Sequence, residues 1–184
     1  MQINQILNSH ELIDWFNTGK LSGYISDHFC SNRFVFNSRL SSYEKTLLNQ
    51  FNESCAYLIL ASCGEIGNNC FDHNLGHWQE NPGCLFIRED KYCIIADRGR
   101  GIKNSLSHVI KLDNDKYVEY AYNHIISGRA PEKRGNGLKF VKRSIESCNI
   151  SLFSYSNNEH VQFGQKPTRF DQLKNQGVFT ILSW

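Results

Sequence analysis

The 184-residue chain contains no apolar run approaching the ~18 residues that cross a bilayer. Its opening stretch, MQINQILNSHELIDWF, has no basic segment leading into an apolar one, as a secretory leader would. These two absences predict a soluble, cytoplasmic protein with no membrane partner. Strong charge of one sign is missing too. A formal net charge of +2 with 21% charged residues is too weak a field to draw nucleic acid or an acidic membrane to the whole molecule, so any positive patch must be local. The seven cysteines, at positions 30, 55, 63, 70, 84, 93 and 148, include no Cys-x-x-Cys pair. Most fall inside apolar patterns, which predicts small buried hydrophobes in a reducing compartment. A zinc site from Cys63, Cys70, His73 and His77 would have helical spacing for its last three members, but no loop knuckle supplies a second ligand cluster. Internal repeats, coiled-coil heptads and low-complexity tracts are absent as well. What remains, 40% apolar residues with 12% aromatics, is enough for one domain with a proper core.

The chain is organised around Gly-Glu-Ile-Gly-Asn-Asn-Cys-Phe-Asp-His at residues 64–73. Glu65, Asn69 and His73 are four residues apart each time, which on a helix of ~3.6 residues per turn stacks an acid, an amide and an imidazole on one face. Ile59, Cys63, Ile66 and Cys70 form an apolar seam about a quarter turn away, so one helix can bury one side while its polar stripe edges a cavity. Taken alone, such a stripe is an ordinary solvated face.

The surrounding pattern alternates helices and strands. Residues 8–16 read as a short helix with an Asn or Ser cap, stopping near Gly19. Phe34-Val35-Phe36 reads as a strand, and Tyr43, Leu47, Leu48 and Phe51 as one face of a helix that begins at Ser41. A break at residues 52–54 recaps the longer helix that carries the stripe. Two apolar runs, 84–87 and 92–96, form a hairpin, and the second leads directly into Asp97-Arg98-Gly99-Arg100-Gly101-Ile102. Asp and Gly are ordinary turn residues. The glycines can also let backbone pass close to a flat ligand while a carboxylate at the strand end accepts a hydrogen bond from it. A short apolar piece at 105–110 and a helix near 115–126 follow, the helix packing through Val118, Ala121, Tyr122 and Ile125 and stopping at Gly128, with a basic tail over 129–134. Arg134-Gly135-Asn136-Gly137-Leu138 opens a further helix with Leu138, Val141 and Ile145 inward. Free N–H groups at its start, beside Lys133 and Arg134, make an anion site. Residues 150–155, 161–163 and 178–184 are three more strands, with a polar loop over 165–176.

In this order, Glu65-x-x-x-Asn69-x-x-x-His73 on a helix, Asp97-x-Gly99-x-Gly101 after a strand, and Gly135-x-Gly137-Leu138 before a helix, the chain resembles the GHKL ATPase superfamily. The resemblance covers residues 32–184 as an ATP-binding domain and leaves 1–31 as an extension with a short helix. It implies an α+β, Bergerat-type two-layer sandwich: a mixed, mostly antiparallel sheet with helices on one face and a lid, residues 103–134, over the nucleotide. It also implies ATP and Mg²⁺ as cofactors. On this resemblance Asn69 would hold the metal, Glu65 would orient or deprotonate the attacking water or hydroxyl, and His73 would sit near the phosphates. Asp97 would bind the adenine amino group, with Gly99 and Gly101 giving the base room. Gly135 and Gly137 would place backbone donors against the phosphates, and Ile102, Arg134, Asn136 and Leu138 would complete the nucleotide site. The chain departs from the family at Gly67 and Cys70, where larger aliphatics and Ala are usual. Gly67 is expected to cost its helix up to ~1 kcal/mol relative to Ala. It departs again at Val178, where an adenine-contacting threonine is usual, which leaves Thr180, on the same strand face, as the candidate.

Ser9-His10-Glu11-Leu12 resembles the phosphoacceptor box of sensor kinases, but it lacks the box's proline and no second dimerisation helix follows. The layout is closest to the stand-alone anti-sigma-factor serine kinases. The resemblance therefore implies a Mg·ATP-binding regulatory protein that phosphorylates a serine or threonine of a partner regulator or hydrolyses ATP slowly. The alternative is a non-catalytic, nucleotide-gated interaction module. Both imply a protein partner and admit a homodimer.

Overall fold

The computed structural model describes residues 10–113, 116–126, 136–164 and 172–184. Its sheet is organised by the strand β3 (Tyr92–Asp97), whose six residues are all buried. Alternate side chains enter different cores. Cys93 and Ile95 join one apolar cluster, and Tyr92, Ile94 and Ala96 join another on the opposite face. The hairpin partner β2 (Cys84–Arg88) divides in the same way, Cys84 and Phe86 to one side and Leu85 and Ile87 to the other. A sheet apolar on both faces must be covered on both.

With β1 (Phe29–Cys30), β4 (Ser151–Ser156), β5 (Glu159–Phe163) and β6 (Val178–Ser183) the sheet has six strands in the order β1-β2-β3-β6-β4-β5. Every pairing among the described residues is antiparallel rather than mixed. The reason is topological. β3 and β4 run the same way, and the last strand of the chain inserts between them, pairing Ile94↔Ile181 on one edge and Phe153↔Ile181 on the other.

The first face carries α3 (Arg33–Leu48), α4 (Glu53–His73), α5 (Gly101–Leu106), α6 (Tyr117–Asn123) and α7 (Gly137–Ser147). The second face is covered by α1 (His10–Thr18) and α2 (Gly23–His28), so helices lie on both faces rather than one. Leu12, Trp15 and Phe16 of α1 are buried there, Phe16 meeting Phe179 edge-on at 5.3 Å. Arg98 fastens this layer by donating from Nη1 to the carbonyl of Trp15 at 3.2 Å and also to that of Phe16.

The strand expected at Phe34-Val35-Phe36 is instead the first turn of α3, which therefore begins well before Ser41. Asn32 caps it, its side-chain oxygen accepting from Val35 N–H at 3.0 Å. Phe36, Tyr43 and Leu47 then bury at helical spacing, and packing overrides the strand preference of the aromatic run. Gly67 also takes on a different meaning: a Cβ there would lie 1.9 Å from Cζ of Phe36, so the glycine is the seat for that ring rather than a propensity cost.

Asn52 caps α4 in the same way, accepting from Cys55 N–H at 2.9 Å, and the seam Ile59, Cys63, Ile66 and Cys70 is buried as expected. The expectation of free cysteines throughout fails at one place. Cys55, in the first turn of α4, and Cys148, at the end of α7, form a disulfide with Cα atoms 5.5 Å apart. The two helices pack side by side and bring together residues 93 apart in sequence. The other five cysteines are free and buried. The expected helix near 115–126 is the shorter α6, burying Val118, Ala121 and Tyr122 but leaving Ile125 exposed. Gly128 and the basic tail lie outside the described residues. Among those described, no helix is long and apolar enough to cross a membrane.

Candidate functional site

The polar stripe of α4 faces a cavity of about 320 Å³. Glu65, Asn69 and His73 line it from α4, Asp97 from the end of β3, Gly101 and Ile102 from the start of α5, Asn136, Gly137 and Leu138 from the start of α7, and Thr180 from β6. Ser105, Leu106, Ala121, Tyr122 and Ile126 wall it from α5 and the α6 region. Ten of the expected site residues thus meet at one place. Arg134 and Gly135 lie outside the described residues. A volume near 300 Å³ is at the lower end of small-molecule sites.

Strand parity brings Asp97 here. It shares a face with Cys93 and Ile95, which point to the helices α3, α4 and α7, and it lies where the strand ends and the apolar packing gives out. Its side chain is buried. Oδ1 accepts from Asn74 Nδ2 at 2.9 Å and from the Gly99 N–H at 2.8 Å. Burial pushes the Asp97 carboxyl up from 3.8 to about 6, opposed by hydrogen bonds from Gly99, Cys70, Asn74 and the Val178 N–H. A carboxyl in this state accepts hydrogen bonds at neutral pH and gains a proton in mild acid.

Asn74 is not among the expected site residues, yet it is the hub of this corner. Its Nδ2 also donates to the Cys70 carbonyl at 2.8 Å, and its Oδ1 accepts from the Arg100 N–H at 3.0 Å. One buried amide therefore ties the end of α4 to both sides of the turn after β3.

The glycines of that turn serve the protein's own packing. A Cβ on Gly99 would fall 1.9 Å from the Asn74 amide, and one on Gly101 would fall 2.1 Å from the Gln176 carbonyl. These groups take up the side of each glycine where a Cβ would sit; Gly101 lines the cavity and Gly99 does not. Gly101 also holds φ +76°, a left-handed geometry that side chains resist.

At the other wall, a Cβ on Gly137 would lie 2.4 Å from Glu65 Oε2 and 3.9 Å from Asn69 Nδ2. The α4 stripe and the first residue of α7 are thus in direct apposition, with the Glu65 carboxylate against the positive end of that helix. Thr180 is buried and lines the cavity, its hydroxyl hydrogen-bonded to Ser154 Oγ at 2.9 Å. Asn68, the residue beside Asn69, contributes a buried Oδ1 with no hydrogen-bond partner among the described residues.

Arg33 reaches the same cavity from the first residue of α3, ion-paired to Asp72 and 6.0 Å from the centre of the Phe71 ring. Sequence reasoning missed it because it placed this segment in a strand. No group of three or more His, Cys, Asp or Glu side chains that would hold a metal ion by itself occurs among the described residues, and the zinc alternative has no support there. Cys63 instead faces Cys93, sulfur to sulfur at 3.4 Å.

No protein-family model matches the chain, and no curated protein matches it with significance.

Proposed function

We propose that the cavity binds Mg·ATP and that the protein is a regulatory nucleotide-binding protein of the GHKL type, with a Bergerat-type fold and with residues 103–134 as lid. What supports the reading is that three sequence-distant segments, the Glu65-Asn69-His73 stripe, Asp97 with its glycine turn, and Asn136-Gly137-Leu138, line one cavity. Asp97 accepts the adenine amino group, and its hydrogen bonds to Asn74 and Gly99 fix the carboxylate for that contact. The start of α7 presents its free N–H groups to phosphate oxygens.

The donor set suits Mg²⁺. A hard cation takes oxygen donors; the Asn69 side-chain amide would supply one and the nucleotide's phosphates others, and Asn68 Oδ1 beside it is a buried acceptor without a partner among the described residues. When bound, the metal neutralises charge on the phosphate oxygens. Glu65 orients the attacking water or the partner's serine or threonine hydroxyl and takes its proton. The hydroxyl oxygen bonds to the γ-phosphorus as the bond to the β-phosphate oxygen breaks, and ADP leaves.

Calorimetric titration with ATP and Mg²⁺ is the test, followed by Glu65→Ala. Loss of phosphate transfer or hydrolysis with binding retained supports the enzyme. A chain whose melting temperature does not move with excess Mg·ATP refutes the nucleotide reading, since ligand at 100 times its Kd adds about 2.7 kcal/mol. One observation favours the non-catalytic alternative, in which ATP orders the lid to present a partner surface. Val109 and Ile125, 47% and 61% exposed, sit on the segment that walls the cavity. Partner binding that requires ATP but survives Glu65→Ala identifies that case.

A further inference from the structure

We infer that Arg33 is a specificity-determining residue of this site, reading the terminal phosphate and so separating triphosphate from diphosphate; this rests on the nucleotide reading above. The cavity's charges motivate it. Glu65, Asp72 and Asp97 place three carboxyl groups in the lining, and Arg33 is the one fixed cation among the described lining residues. A polyanion entering such a space needs a positive partner beyond Mg²⁺, and a guanidinium matches phosphate oxygens in pairs.

The position of Arg33 selects which phosphate it meets. Around α4, at about 100° per residue, Asp72 lies about 60° to one side of Asn69 and Cys70 about 100° to the other. Asp97 is held on the Cys70 side, through the Cys70 thiol and through Asn74. Arg33 is held on the Asp72 side, by the ion pair and by the Phe71 ring. A nucleotide with its base at Asp97 and its metal at Asn69 therefore runs its phosphate chain toward Arg33, so the guanidinium stands at the far end of the ligand.

The pairing with Asp72 also defines a competition. The Arg33 and Asp72 side chains are 43% and 23% exposed, so the pair is weak enough to yield to a phosphate. Asp72 holds the guanidinium at the cavity edge in the unliganded chain, and the terminal phosphate takes over some of its donors on binding. A diphosphate ends short of it and leaves the ion pair intact.

The experiment measures Kd for ATP and for ADP, each with Mg²⁺, on the wild-type chain, Arg33→Ala and Asp72→Asn, with melting curves in the absence of nucleotide to confirm that each variant is folded. Arg33→Ala is expected to weaken ATP by about tenfold or more, the size of a charge-assisted contact, while ADP changes less than about twofold. Asp72→Asn, which releases the guanidinium, is expected to tighten ATP and leave ADP alone. Equal effects on ATP and ADP, or none on either, overturn the assignment while leaving the nucleotide reading intact. A wild-type chain that binds neither nucleotide sinks both.

Discussion

Asp97 offers the sharpest physical test, because its cost to the fold depends on pH in a direction opposite to that of most carboxylates. Its folded value of about 6 stands about two pH units above the ordinary 3.8, each worth about 1.36 kcal/mol. Between those values the folded chain holds a proton that the unfolded chain has lost, so stability falls as pH rises through this window. Below about pH 3 both states are largely protonated and the group contributes almost no penalty. Above about pH 6 the buried carboxylate costs the fold about 3 kcal/mol. Asp97→Asn keeps an acceptor for Asn74 and Gly99 but carries no charge, and therefore removes the dependence. Urea unfolding from pH 3 to pH 8, without nucleotide, should show wild-type stability dropping relative to Asp97→Asn by about 3 kcal/mol, most of it between pH 4 and pH 6, then levelling. A constant difference across that range, or a wild-type chain gaining on the variant as pH rises, would refute the buried placement of this group. On the nucleotide reading proposed above, affinity for ATP should fall as pH drops below about 6, where the Asp97 acceptor gains a proton.

Asn74→Ala removes three hydrogen bonds, one of them to a buried carboxylate, and should destabilise by about 3–5 kcal/mol with Asp97 titrating higher still, as a pH-resolved denaturation series would show. Gly67→Ala should lower the melting temperature despite alanine's better helix propensity, since the added methyl overlaps Phe36 and overpacking costs about 1–3 kcal/mol. A rise in melting temperature would mean that the Phe36 ring does not sit there. Reduction of Cys55–Cys148, or Cys148→Ser, opens a loop of 93 residues and on chain-entropy grounds should cost up to about 4.6 kcal/mol, measurable as a shift of the denaturation midpoint with and without reductant.

The covering of both sheet faces places the N-terminal helices in the fold rather than beside it. Trp15 and Phe16 pack against the sheet face away from the cavity, and Arg98, one residue past Asp97, holds their carbonyls. The strand end that carries Asp97 is thus gripped from below by α1 and from above by Asn74. This double hold fixes the orientation of the Asp97 carboxylate.

Local pattern alone was sufficient wherever an element's period and its caps agreed. Asn52 followed by Ile59, Cys63, Ile66 and Cys70 specified α4 and which side of it is apolar, and the two short apolar runs at 84–87 and 92–96 specified the hairpin and put Asp97 at its end. The spacing of Glu65, Asn69 and His73 likewise fixed their common face without any knowledge of what lay opposite. Where local preference and long-range packing disagreed, packing decided. Phe34-Val35-Phe36 became helix because Phe36 had a glycine to rest on 31 residues later, and α1 and α2 joined the core because the strands were apolar on both sides. The convergence of Asp97, Asn74 and Arg33 on the α4 stripe, and of Cys55 with Cys148, belongs to the tertiary structure alone. Periodicity describes how a segment meets some neighbour; which neighbour it meets is set by contacts between residues tens of positions apart, and those form only when the whole chain has folded.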